Sequence, residues 1–254
     1  MKRIELKGAI NVRDLGQTKN EDGKIIPLGL FIRSDSLRKI TFGDKFKLKH
    51  KLKIKTIIDL RNHKEVEEKP DKKIRGVTYY NFPLIEEAAD GITHEHHKHN
   101  PSNMPGLDKL YAEIVVSDFA INSFKKIFDV LLNLNNAPVL YHCSVGKDRT
   151  GLVTMLLLHL LDVDEKRIAK DYLESNVACI PESERVYERV LEKTMNTTLA
   201  TKIRETYIVD IKYLNAAIEA INERYGSVDN YIKNVIGITD EQKAEFKSKV
   251  YSYK

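Results

Sequence analysis

Four apolar, β-branched or aromatic runs of strand length mark the first 143 residues: LGLFIRS (28–34), KIKTIIDL (53–60), GVTYYNFPL (76–84) and PVLYHC (138–143). Helical spacing lies between them. From Ser117 onward, Phe119, Ile121, Phe124, Ile127, Phe128, Leu131 and Leu132 predict one helix with an apolar face. This β-then-α rhythm predicts an α/β sheet with helices packed on it. After Asp164 the pattern is almost wholly helical. Tyr207, Ile211, Leu214, Ile218, Ile221 and Tyr225 step by 4, 3, 4, 3 and 4, one helix face that ends at Gly226. Thr239 with Gln242 three residues later predicts a capping box opening a last helix. The longest apolar run, Leu152 to Leu161, is too short to span a bilayer and predicts a buried helix. No repeats, low-complexity tracts or Gly/Ser linkers interrupt the chain. The expectation is a single domain over 1–254, with an α/β core at 1–163 and a helical part at 164–254 packed on it.

Composition adds little to this and charge adds more. The chain has 254 residues, 42% hydrophobic and 31% charged, ordinary for a globular protein with a sizeable core. Its two cysteines cannot form a disulfide framework, which favours a reducing compartment or a cysteine kept for chemistry. The N-terminal MKRIELKGAINVRDLG has no apolar leader run, so a cytoplasmic location is expected, with a secreted form lacking its leader as the alternative. The formal net charge is +5, and residues 38–75 hold 14 Lys/Arg against 6 Asp/Glu, a local excess of 8. Within them KFKLKHKLKIK (45–55) reads most simply as a solvated helix face leading into a strand. The alternative is a surface for anionic lipid headgroups or other polyanions. Aromatic positions do not interleave with these lysines, so nucleic acid is not an expected partner.

The chemistry concentrates in YHCSVGKDRTG, residues 141–151, between a predicted strand and a predicted helix N-terminus. Backbone N–H groups there attract anions. A thiol is a weak nucleophile until amide dipoles and cations favour its thiolate, and Cys143 has His142, Lys147 and Arg149 close by in sequence. The amides of Ser144, Val145, Gly146, Lys147 and Asp148 would form a nest for a tetrahedral oxyanion. Arg149 adds a planar fork that matches two phosphate oxygens at once. Gly146 permits the turn and Gly151 permits close packing at the helix start. Sulfur at the floor of a phosphate cradle predicts attack on phosphorus, a cysteinyl-phosphate and its hydrolysis by water. Thr150 is placed to hydrogen-bond the sulfur as a leaving group. Cys179 reads as inert packing.

HCSVGKDRTG carries the His-Cys-x5-Arg-Thr/Ser signature of the protein tyrosine phosphatase superfamily. More narrowly, the chain resembles the atypical bacterial tyrosine/dual-specificity phosphatases that also act on phosphoinositides. NVRDLGQ (11–17), GLFIRSDSL (29–37), TIIDLRNHKE (56–65) and YGSVDNYIKNVIGITDEQ (225–242) resemble further landmarks of that group. The resemblance implies a central, mostly parallel sheet flanked by helices, a helical C-terminal third, no metal and no cofactor. It also implies a phosphorylated protein or a phosphoinositide as substrate, and the lipid-headgroup alternative for residues 38–75 adds an anionic membrane surface as a further partner. Arg13 and Arg33 fall in these landmarks as candidate phosphate-binding residues, and Asp14, Asp59 and Arg61 as supporting ones. Buried ion pairs that brace the pocket are the other reading of all five. One departure is Gln17, where the family commonly has a second glycine.

Two assignments stay open on the sequence. Dual-specificity phosphatases take a general acid from a loop after the strand that precedes the catalytic one. Here that place offers Glu86, Glu87 and Asp90. Asp148 is the other candidate, favoured by resemblance as the acid or as the group orienting water, with pairing to Arg149 as its alternative role. Lys147 resembles a lysine of inositol-lipid phosphatases that would meet a second phosphate; its other reading is electrostatic support of Cys143. The histidine-rich HEHHKHN (94–100) fits an exposed loop or lid better than a metal site. Competing functions are a rhodanese-like or arsenate-reductase-like thiol enzyme, and a phosphate-binding module without turnover.

Overall fold

The computed structural model describes residues 2–86 and 106–253. Glu87, Asp90 and the HEHHKHN stretch lie outside the described residues. Among the described residues six strands form one sheet: β1 (Lys2–Arg3), β2 (Arg13–Asp14), β3 (Phe31–Ser34), β4 (Thr56–Asp59), β5 (Thr78–Asn81) and β6 (Val139–His142), in the order β1-β2-β3-β6-β4-β5. β3, β6, β4 and β5 pair in parallel, while β1 and β2 add antiparallel pairs at one edge. All four predicted strands are present. The two-residue β1 and β2 are too short to leave a periodic pattern.

The helices are α1 (Phe42–Phe46), α2 (His63–Glu68), α3 (Leu107–Val116), α4 (Asp118–Leu132), α5 (Asp148–Leu160), α6 (Glu165–Glu174), α7 (Asn176–Thr194), α8 (Thr197–Tyr207), α9 (Ile211–Tyr225), α10 (Val228–Asn230) and α11 (Asp240–Tyr251). Ser117 caps α4 by accepting from the Ala120 N–H, and Thr239 with Gln242 closes the predicted capping box on α11. The run predicted from Tyr207 to Tyr225 is divided. Tyr207 ends α8, and the Asp210 side chain caps α9 through the Lys212 N–H. Helical phase carried across that turn concealed the break.

Strand alternation divides the core in two. Phe31, Ile58, Val139 and Tyr141 face the larger cluster, with α4, α5 and α9; Ile32, Ile57 and Leu140 face a smaller one with Leu37, Ile40, Leu48 and Ile74. Register aligns them: Ile32 and Ile57 both oppose Leu140. α5 is apolar all round and almost wholly buried, which explains its uninterrupted leucine run. Among the described residues no helix is long and apolar enough to cross a membrane.

The parallel strands all end at one edge of the sheet, where α/β folds place their ligands. The lysine-rich 45–55 segment lies at the other end. It forms α1 and a π turn leading into β4, with Lys49 Nζ donating to the Gly76 carbonyl and Lys55 Nζ to the Asn135 carbonyl. A four-residue strand separates the two ends by about 13 Å. The lysines at 45, 47 and 49 are half-buried and those at 51, 53 and 55 exposed.

Candidate active site

β6 delivers His142 and Cys143 to the carboxyl edge of the sheet, and the chain turns through 144–147 into α5. The turn depends on Gly146. Its φ of 73° is left-handed, and a Cβ there would lie 2.4 Å from the Ser34 carbonyl oxygen. Cys143 is 2% exposed, and the Gly146 N–H points at its Sγ from 3.3 Å.

The carbonyls of the loop are held on the opposite side. Asn11 Nδ2 donates to the carbonyls of Val145 (3.1 Å) and Gly146 (3.0 Å), and Arg33 Nη2 donates to that of Gly146 (2.9 Å). With carbonyls bound outward, amides turn inward, as an anion nest requires. Arg33 and Arg13 also grip Asp171 of α6: Arg33 through Nη1, Arg13 through Nε at 3.2 Å. Burial opposes the charge of Asp171, but Arg33 and then Arg13 outweigh it and lower its pKa. Arg33 and Arg13 are 0% and 3% exposed. The structure therefore places them behind the loop as braces, on its carbonyl side, and not in the cradle with Cys143. Asp14 is farther out, accepting from the N–H groups of Gly16 and Gly29, both at 2.8 Å.

Arg149 sits in the first turn of α5 with its fork on Glu65, Nη1 to Oε2 at 2.5 Å and Nη2 to Oε1 at 2.8 Å. Glu65 also accepts from the Ser144 hydroxyl at 2.8 Å and shares a capping box with Asn62 at the start of α2. Burial works against its charge, yet Arg149 holds its pKa down at about 2. Glu65 is a site residue outside the HCSVGKDRTG signature, and N-x-x-E at 62–65 is its visible capping signal in the sequence.

Lys147 and Asp148 face one another, with Nζ 2.6 Å from Oδ1. The Tyr111 hydroxyl of α3 donates to the same Oδ1 at 2.6 Å and lies 2.8 Å from the Tyr172 hydroxyl. The Arg149 fork lies on Glu65, so α2 supplies a partner that holds it. Lys147 is fully buried, with Nζ on Asp148. Thr150 Oγ1 is buried with no hydrogen-bond partner among the described residues. Gly151 packs under Tyr172, where an added Cβ would lie 3.1 Å from the ring. Of the alternative acids, Glu86 is described and exposed.

Beneath the loop, Arg61 binds Asp59 through Nε and Nη2, and the Tyr79 hydroxyl donates to the same carboxylate at 2.7 Å. Asp59 and Arg61 thus brace the floor of the site. Both cysteines are free and buried; burial pushes the Cys179 thiol up to about 11, which keeps it protonated and inert.

The assembled parts are a sulfur under inward amides, a guanidinium clamp and a carboxylate at a helix N-terminus. Comparison with known proteins points the same way. The profile described as "Tyrosine phosphatase family" matches residues 4–252. The chain is 27% identical over 234 residues to a Cupriavidus necator protein named as a tyrosine-protein phosphatase, spanning 90% of this chain and 82% of the relative. It is 27% identical over 263 residues to the triple specificity protein phosphatase PtpB of Mycobacterium tuberculosis, spanning 91% and 92% of the two chains. Among solved structures, the catalytic core of the PP-IP phosphatase SIW14 from S. cerevisiae superposes with a TM-score of 0.40 at 17% identity, over 67% of this chain and 78% of that one.

Proposed function

We propose, from the premise that the chain belongs to the tyrosine phosphatase family and is a phosphoric monoester hydrolase, that it removes phosphate from phosphotyrosine through a cysteinyl-phosphate. Phosphoserine, phosphothreonine and phosphoinositides are its further substrates. The observation that carries this reading is the Gly146 N–H on Cys143 Sγ beside an Arg149 fork pre-set by Glu65. The word "triple" in the name of the M. tuberculosis relative supports the breadth.

In the reaction, Cys143 Sγ attacks phosphorus while the loop amides and Arg149 hold the non-bridging oxygens as charge shifts onto them. Asp148 gives a proton to the departing oxygen and then takes one from the attacking water. Water displaces the sulfur, phosphate leaves and the thiolate returns. The Thr150 hydroxyl, which has a hydrogen to offer, faces this second step. Residues 1–163 and 164–254 act as one catalytic domain, since α6 supplies the Asp171 that braces the loop. Two free cysteines fit a cytoplasmic site of action.

Phosphate release from a phosphotyrosine peptide and a phosphoinositide panel, side by side with Cys143→Ser, tests the proposal. Release from both substrates by the unaltered chain alone is the expected result. Sulfur transfer from thiosulfate to cyanide without phosphate release would place the chain among thiol transferases instead.

A further inference from the structure

We propose that Asp71 is a positioning residue for this reaction: its carboxylate keeps the His142 ring doubly protonated, and the charged ring prepares Cys143. The second half rests on Cys143 being the nucleophile; the first half stands without it.

His142 is fully buried at the last position of β6. Its Nδ1 lies 3.1 Å from the Cys143 carbonyl oxygen, and its Nε2 lies 3.0 Å from Asp71 Oδ2 and 3.9 Å from Asp59 Oδ2. Both ring nitrogens therefore lie close to an oxygen, Nδ1 in hydrogen-bond geometry and Nε2 in an ion contact with Asp71 outside that geometry. A neutral imidazole has one N–H and one lone pair, so it would set a lone pair against an oxygen. The imidazolium has two N–H groups and a positive charge, which suits one carbonyl and one carboxylate at these distances.

Charge balance leads to the same state. Arg61 Nη2 stands 2.6 Å from Asp59 Oδ2 and 3.1 Å from Asp71 Oδ2. The Tyr79 hydroxyl of β5 reaches Asp59, and Asp35, just past β3, also feels the charge of the ring. Asp59 is committed to Arg61 by three close contacts, Nε at 2.9 and 3.1 Å and Nη2 at 2.6 Å. Asp71 is the carboxylate left nearest to the ring. Asp59, Asp71, Arg61 and His142 sum to zero only when the ring is charged. Burial opposes that charge, but Asp59 and Asp71 outweigh it and raise the His142 pKa to about 9.

Asp59, Asp71 and His142 also bring ligand atoms within 4.8 Å of one another, as a metal site would. The Arg61 guanidinium already holds Asp59 by hydrogen bonds and lies 3.1 Å from Asp71, and imidazolium cannot ligate. For Cys143 the consequence is direct. Nδ1–H on its carbonyl polarises the 143–144 peptide, whose N–H belongs to the loop around Sγ. A buried cation one residue away stabilises a negative sulfur as well.

Asp71→Asn removes one charge at nearly constant shape, and the cleft of about 470 Å³ beside it, lined by Leu37, Ile57, Val66 and Ile74, leaves room for the amide. Two readouts apply, both in a Cys179→Ser background: ring ¹⁵N shifts of His142 and the rate of Cys143 alkylation by iodoacetamide, each against pH. In the unsubstituted chain the His142 shifts should stay flat from about pH 5.5 to 8, and added zinc should not move them. Asp71→Asn should bring the titration into that range, raise the alkylation midpoint by about one pH unit and slow alkylation about tenfold at acid pH. Asp71→Glu should restore most of both.

A His142 that titrates near its ordinary value, or one that shifts with zinc, would overturn the proposal. So would an Asp71→Asn chain whose alkylation profile is unmoved. Should that variant fail to fold, the titration of the unsubstituted chain still decides the charge state. Alkylation reads the sulfur without turnover, so failure here is distinct from failure to release phosphate.

Discussion

Glu65 holds Arg149 by both nitrogens of its fork, and it does so from the first turn of a different helix. The orientation of the clamp is therefore set from α2, across the loop, before any phosphate arrives. Glu65→Gln keeps the shape and removes the charge that aligns the fork. Misplacing a catalytic group by about 1 Å costs on the order of 100-fold in rate. Steady-state kinetics on a phosphotyrosine peptide should show a kcat loss of about 10- to 100-fold with little change in KM. An unchanged kcat would mean that phosphate alone orients Arg149.

The same carboxylate links stability to acid. Its folded pKa of about 2 lies below the ordinary 4.5, so the folded state binds this proton less tightly than the unfolded one. The stabilisation is fully present above the ordinary value and is lost as pH falls toward the folded one. His142, raised from 6.5 to about 9, has the opposite sign: its contribution is full below 6.5 and disappears as pH rises through 9. Burial raises Asp35 to about 6 and also raises Asp14, which pulls against the acid trend. The decisive quantity is thus the Tm difference between the unsubstituted chain and Glu65→Gln. It should be constant above about pH 4.5 and shrink toward pH 2. A difference that does not depend on acid pH would show that the pair adds no net charge stabilisation.

Asp148 is held by the Tyr111 hydroxyl and Lys147 Nζ on one oxygen, Oδ1, at 2.6 Å each. If it donates the proton, Asp148→Asn should slow substrates with poor leaving groups by about 10²- to 10⁴-fold, the usual share of a general acid. Substrates with nitrophenol-like leaving groups should lose much less, and the basic limb of the kcat profile should flatten. Tyr111→Phe, which releases Oδ1 without removing the acid, should shift that limb rather than abolish it. Equal losses for all leaving groups would return the acid role to Glu86 or to the segment that follows it.

What the sequence makes legible here is what is local. The loop from His142 to Gly151 is contiguous, so its chemistry can be recognised from residue types and spacing alone. The four long strands and the Thr239 cap announce themselves through period and turn chemistry. Asp171, Tyr111, Asn11 and Asp71 lie 28, 32, 132 and 72 positions from Cys143, and each acts through a contact that only the assembled sheet creates. Arg13 and Arg33 show the same limit from the other side. Both fall in recognisable landmarks, but whether a buried arginine faces the cradle or its carbonyl side depends on α6, which no local pattern records.

Gln17 provides the last test, at a place where the chain departs from the pattern of the family it resembles. Its φ is 67°, in the left-handed region, and its N–H donates to the Ile26 carbonyl at 2.8 Å. The backbone conformation that suits glycine is thus retained while the side chain is not glycine. A non-glycine residue there is disfavoured by about 1 kcal/mol, partly offset by the greater chain entropy glycine carries when unfolded. Gln17→Gly should leave the loop and its hydrogen bond in place and stabilise the chain by roughly 0.5 kcal/mol, a rise of one to two degrees in Tm for about 250 residues. Urea denaturation should show the midpoint rising with the slope unchanged. Destabilisation would mean that the Gln17 side chain makes a contribution larger than the strain of its backbone.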